Sequence, residues 1–281
     1  MKTKTLIAAL NIPLVPAVAI ALALSGVTLA EEQAESEKLA KQLSNPVADL
    51  VSIPFQFNWE EGVGVDHDVR FIMNVQPVVP FSISKDWNLI GRMIVPFISQ
   101  PPLAQGGQTA FGLGDIVASA FFSPKESKLV WGIGPVFGLP ATSDPNLGSG
   151  KWSIGPTAVV LKQSGPWTYG ALANQLWSFA DSGNLDREPV SQMFLQPFVA
   201  YGTKNAVTYT LQSETTANWR ADSDQRWTIP INVVVSKVTK LGPFPFSIGA
   251  GAGYFVESPD ASGARWKLRM VFTLILPRGK S

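Results

Sequence analysis

From Val51 onward, apolar residues recur at every second position in short runs, each closed by Gly, Pro, Asn, Asp or Ser. A period of two belongs to β-strands, whose side chains point alternately to opposite faces. In residues 226–238, Trp227, Ile229, Ile231, Val233 and Val235 share one face, and Thr228, Pro230, Asn232, Val234 and Ser236 share the other. In residues 264–276, Trp266, Leu268, Met270, Phe272, Leu274 and Leu276 lie opposite Arg265, Lys267, Arg269 and Thr273. Residues 206–217 carry an unbroken polar face of Thr208, Thr210, Gln212, Glu214 and Thr216. Strands of this kind need two surroundings at once, one apolar and one that accepts charge.

Twelve such runs can be marked, at 51–60, 67–83, 87–99, 111–122, 129–141, 151–162, 166–178, 191–203, 206–217, 226–238, 244–257 and 264–276. The connections alternate in length. Those at 84–86, 164–165, 204–205 and 239–243 are short, with a somewhat longer one at 123–128, and those at 61–66, 100–110, 142–150, 179–190, 218–225 and 258–263 are long. That alternation along an even number of strands is the plan of an outer-membrane barrel, with tight periplasmic turns and longer extracellular loops. The fold expected is all-β: an antiparallel transmembrane β-barrel of twelve strands, closed between the last strand and the first. The prolines oppose it. Among the 22 in the chain, Pro77, Pro80, Pro96, Pro135, Pro156, Pro197, Pro230 and Pro245 fall inside proposed strands. Proline donates no ladder hydrogen bond, and a closed barrel has no edge on which to hide it. A soluble β-sandwich is the competing arrangement.

All nine tryptophans lie at the ends of these runs. Indole gathers where hydrocarbon meets water. If the first strand rises from the periplasm, Trp87, Trp131 and Trp167 fall at the periplasmic rim. Trp59, Trp152, Trp177, Trp219, Trp227 and Trp266 then fall at the extracellular rim, which predicts an aromatic girdle denser on that side.

Charged residues are 15% of the chain, well below the roughly 25% of soluble domains. The net charge of +1 implies no polyanionic partner, so no nucleic acid is expected. The chain has no cysteine, which excludes disulfides, thiolate metal sites and cysteine nucleophiles. Lys2 and Lys4, an apolar stretch from Leu6 to Leu24 and the small-residue end Thr28-Leu29-Ala30 read as a secretory signal peptide over residues 1–30. Residues 31–50 are then a periplasmic lead-in, either a short helix with Leu39 and Leu43 on one side or a solvated tail, and 51–281 form the barrel.

The segments LSNPVADLVSIPFQFNWEEGVG, NVQPVVPF, DWNLIGRMIVPFISQP, GLGDIVASAFFSP, WGIGPVFGLPATSD, KWSIGPTAVVLKQSGPWTYGALANQLWSFA, FLQPFVAYGTKNAVTYTLQSET and WTIPINVVVSKV cover most of residues 43–258. Together they resemble a family of bacterial outer-membrane barrels named for the meta-pathway of phenol degradation and described as transporters. The family repeats GP, QP and VP pairs within its strands. The resemblance implies a bacterial outer-membrane location and passive or facilitated passage of small solutes, aromatic or hydrophobic compounds among them. Outer-membrane lipid and the barrel-assembly machinery are the partners implied. No substrate-binding residue carries over, and the end LILPRGKS lacks the terminal aromatic common in such barrels.

Groups suited to catalysis are scarce. His67 is the single histidine. No serine stands within two residues of it, and Asp66 and Asp68 beside it make neither a hydrolase nor a full metal site. An outer-membrane lipid hydrolase is thus the weaker alternative, and a sealed structural or adhesion barrel is the other. Gly112-Leu113-Gly114-Asp115 and Gly249-Ala250-Gly251-Ala252-Gly253 do not match a phosphate loop. They read as room made on an inner face. No cofactor is expected. The constellation with chemical content is charged and inward-facing: Glu60, Arg70, Glu257, Arg265, Lys267 and Arg269. In the expected register Arg265 lies near Glu60, Lys267 near Asn58 and Arg269 near Gln56. They would form a mixed-charge ring at one mouth of a polar-lined lumen, either a constriction that screens solutes or a salt-bridge filling.

Overall fold

The computed structural model describes residues 31–183, 187–260 and 263–276, so the expected signal peptide lies outside the described residues. Fifteen β-segments follow one another: β1 (Val51–Val63), β2 (Asp68–Val75), β3 (Val78–Ser82), β4 (Trp87–Gln100), β5 (Ala110–Leu113), β6 (Ile116–Pro124), β7 (Val130–Leu139), β8 (Lys151–Ser164), β9 (Trp167–Asp181), β10 (Ser191–Gly202), β11 (Val207–Ser213), β12 (Thr215–Asn218), β13 (Trp227–Leu241), β14 (Phe244–Glu257) and β15 (Trp266–Leu276). The pairs β2–β3, β5–β6 and β11–β12 are single strands interrupted once, so the fifteen segments build twelve barrel strands. Every strand pairs antiparallel with its sequence neighbour. The ring closes between β15 and β1, from Val51 opposite Leu276 to Glu61 opposite Trp266. Closure satisfies the backbone of all twelve strands with no open edge.

The alternation seen in sequence is the alternation of faces. Outward lie residues such as Phe97, Ile133, Ile154, Val160, Ile231, Val233, Val235, Leu268, Met270 and Phe272, all well exposed. Such a continuous apolar band is far larger than monomeric soluble proteins leave uncovered. The tryptophans stand at its two margins. Trp87 stacks edge-on against Trp131 at 5.7 Å and Trp167 against Tyr201 at 4.8 Å, beside the short turns. Trp59, Trp152, Trp177, Trp219, Trp227 and Trp266 stand on the other margin, where Trp219 meets Trp227 at 5.7 Å.

The strand prolines are accommodated by interruptions in the ladders. Pro135 of β7 faces Pro156 of β8, each within an Ile-Gly-Pro triplet. The pairing of β7 with β6 is broken between Ile133 and Val136, and that of β8 with β9 between Ile154 and Thr157. The missing proline N–H groups therefore fall where the ladder is already open. The preceding glycines let the neighbouring strand close in. A Cβ on Gly134 would stand 1.8 Å from the Ala120 carbonyl oxygen, and one on Gly155 1.7 Å from that of Gln175. Pro77 sits at the break between β2 and β3, where its carbonyl still accepts from Met93 N at 3.0 Å. Pro230 sits at a register shift against β14.

The first of the loops expected to be long is a tight turn over residues 64–67, because β1 runs three residues further than the alternation suggested. Gly64 and His67 take the left-handed conformation there, at φ +77° and +55°.

Before the barrel, residues 31–43 are helical. The helix lies across the short-turn mouth. Gln33 donates to the Lys204 carbonyl at 3.2 Å, Lys41 to that of Gly165 at 3.3 Å, and Glu35 pairs with Lys240 at 2.7 Å. Its apolar side, Leu39, Ala40 and Leu43, packs with Ala48 and Leu50 against Ala206, Val238 and Ile275.

Candidate functional site in the barrel lumen

The inward face of β1, β2 and β15 carries polar and charged groups, because cross-strand partners share a face. Glu60 stands opposite both Lys267 and Arg70, and Asn58 opposite Arg269. On β14, Gly249, Gly251 and Gly253 face the same space opposite Val271, Arg269 and Lys267. Three positions without side chains leave room there for two long cations.

The charges form a continuous lattice. Arg70 donates from Nε and Nη2 to Glu60 Oε2 at 2.9 and 2.7 Å. Lys267 Nζ lies 3.2 Å from Glu60 Oε1 and 3.6 Å from Glu214 Oε2, over the Phe255 ring at 5.0 Å. Arg269 donates to both oxygens of Glu214, at 2.9 and 2.6 Å, and from Nε to Asn58 Oδ1 at 2.7 Å. Glu214 is the residue between β11 and β12. The interruption frees it from the ladder, and it reaches past β13 and β14 to the cations of β15. Charge-assisted, bidentate pairs of this kind hold side chains in one geometry.

A neutral amide relay continues from the lattice. Gln56 Oε1 accepts from Asn58, Asn74 and Gln76, and Gln76 Oε1 accepts from Arg92 Nη2 at 3.1 Å. The opposite wall is different. Ile90, Phe121, Val159, Leu161 and Leu172 form a buried apolar cluster on β4 to β9, and Val47 of the N-terminal segment inserts into it. Buried polar residues of the same strands, Ser123, Lys151, Ser153, Thr157 and Thr168, flank this cluster, so the apolar surface is a patch in an otherwise polar lining. Both faces of the stretch from Ala158 to Leu161 in β8 are apolar, and alternation alone does not show which way such a stretch turns.

Two cavities lie inside the barrel. One of about 270 Å³ extends between the N-terminal segment and the lattice, bounded by Gln56, Gln76, Arg92, Gln212 and Arg269. The other, about 120 Å³, lies further toward the long loops, between Arg92 and an apolar wall that includes Leu176 and Phe194. Arg92 borders both.

Of the ring predicted from sequence, Glu60, Arg70, Lys267 and Arg269 come together in the lattice. Glu257 and Arg265 do not. Both are exposed at the long-loop end and join no ion pair among the described residues. The pairing is displaced by two residues from the expected register: Lys267, not Arg265, faces Glu60, and Arg269 faces Asn58. A slip of two keeps every side chain on its face, which is why alternation could not detect it. Glu214 and Arg92 were missed as site residues. Glu214 closes the polar face of residues 208–214, and Arg92 is a lone charge inside the apolar strand WNLIGRMIVPF. Lone ionisable groups in such strands point to function. The exposed His67 imidazole makes no hydrogen bond among the described residues.

No protein-family model matches the chain, and no curated protein matches it in sequence. Among solved structures, an outer membrane channel from Pseudomonas putida F1 aligns over 82% of this chain and 97% of its own, with TM-score 0.64 and 14% identity. The NanC porin aligns over 81% of this chain and 100% of its own, with TM-score 0.54 and 9% identity. Outer membrane phospholipase A from Escherichia coli aligns over 79% and 92%, with TM-score 0.44 and 9% identity. At these identities the likeness to the first two establishes a shared fold, the closed antiparallel barrel of outer-membrane proteins.

Proposed function

We propose that the chain is a channel of the bacterial outer membrane that passes small solutes, aromatic and hydrophobic compounds among them, without energy coupling. The observation that carries this reading is the pair of internal cavities meeting at Arg92 inside a barrel whose outer face is apolar. The apolar band would sit in lipid, with the tryptophans as its interfacial girdle, and the barrel-assembly machinery would insert it. The lattice and the amide relay offer hydrogen bonds and the apolar patch offers hydrocarbon contact, a combination suited to solutes with both characters. The lattice would set which solutes enter, and the N-terminal segment would bound the exit. Proteoliposome swelling tests it: barrels of this chain should admit compounds of benzyl-alcohol size faster than protein-free vesicles, and equal rates would sink it. A sealed barrel is the second reading, favoured by the seat of Val47 in the apolar cluster. Swelling that appears only when residues 31–50 are loosened would decide for it.

A further inference from the structure

We infer that the smaller cavity is a binding site for a compact monocarboxylate with an apolar body, anchored by Arg92. This inference rests on the lumen being a solute path and names the solute class. Arg92 is the single charged residue bordering that cavity, and its other polar neighbours, such as Asn174 and Gln192, are neutral. Its guanidinium carries five N–H donors, and its one hydrogen bond among the described residues is to Gln76. No carboxylate lies within ion-pair distance of it among the described residues, because Glu60 and Glu214 are already engaged by Arg70, Lys267 and Arg269. Four cations thus face two carboxylates in this part of the lumen, an excess of two, and Arg92 is the cation that joins neither carboxylate in an ion pair. A guanidinium fork matches a carboxylate in two parallel hydrogen bonds. A dianion would need a second free cation, and none borders the cavity.

The rest of the cavity selects the body. Ile94, Val117, Leu176 and Phe194 wall it with hydrocarbon. Its volume of about 120 Å³ compares with the roughly 150 Å³ of an apolar cavity that accepts benzene. Arg92 also borders the larger cavity. A carboxylate could stay on the guanidinium while its body swings from the apolar chamber toward the N-terminal segment, so one residue would serve both entry and release.

The test is calorimetric titration of the full chain, folded in detergent micelles, with sodium benzoate, benzamide and sodium acetate. Benzoate should bind saturably at one site. Benzamide, which lacks the charge, and acetate, which lacks the body, should each bind at least about tenfold more weakly. Arg92→Gln should weaken benzoate by a similar factor and benzamide much less, and Arg92→Lys should recover part of the loss. Phe194→Ala should weaken benzoate and benzamide alike. Equal affinity for benzoate and benzamide, undiminished benzoate binding by a folded Arg92→Gln barrel, or no saturable benzoate binding by the folded native chain would each overturn the inference. Because the readout is binding, a barrel that swells vesicles but ignores benzoate refutes this site and leaves the channel standing. A barrel that binds benzoate but passes nothing does the reverse.

Discussion

A single glutamate ties the lattice to β11 and β12. Glu214 alone links β11 and β12 to the β15 cations, receiving both Arg269 bonds and the Lys267 approach. Removing one partner of a nearly buried set strands the others, which typically costs about 3–5 kcal/mol. Glu214 keeps some solvent, so Glu214→Ala should lower barrel stability in a denaturant titration by about 3 kcal/mol. Arg265→Ala should change it by less than about 0.5 kcal/mol, since that side chain is exposed and unpaired. The reverse order would show that the sequence-derived register, not the observed one, is correct. Residues of β1, β2 and β15 were legible as inward-facing because their two faces differ so sharply in polarity. The identity of the pairs was not, since a shift of two residues leaves the pattern unchanged.

At the scale of the strand, the paired Ile-Gly-Pro triplets of β7 and β8 turn a sequence anomaly into a structural device. Proline withholds a donor where the outer ladder is open, and glycine admits the neighbouring carbonyl. Gly134→Ala and Gly155→Ala each place a methyl within 1.8 Å of a carbonyl oxygen. Each should destabilise the barrel by about 2–3 kcal/mol, read as a lower temperature for loss of the compact, faster-migrating form on gels. Wild-type behaviour in both would mean that the neighbouring strands are not so close. The twelve strands were visible in the period of two, but interruptions at Gln76-Pro77, Gly114-Asp115 and Glu214 were not, because an interruption depends on the partner strand. The N-terminal helix was one of two equal readings of residues 31–50. Its seat was not legible: nothing in residues 31–50 shows that Val47 enters an apolar cluster on β4 to β9. Val47→Asp would place a carboxylate there, which costs several kcal/mol unless the segment leaves. Faster proteolysis of residues 31–50 in the folded variant is the expected result, and unchanged resistance would contradict the packing.

For the whole molecule, the closed ring and the apolar outer band follow from one property of the sequence, strands with unlike faces. The apolar patch in the lumen follows from its local failure, in stretches such as Ala158 to Leu161 of β8 where both faces are apolar. The excess of cations in the lumen, with Arg92 in no ion pair among the described residues, predicts that small anions pass more readily than cations. Current through single barrels in a planar bilayer, under a potassium chloride gradient, tests the account most directly. Discrete steps with a reversal potential on the chloride side are the predicted result. Folded, inserted barrels that carry no current would contradict it.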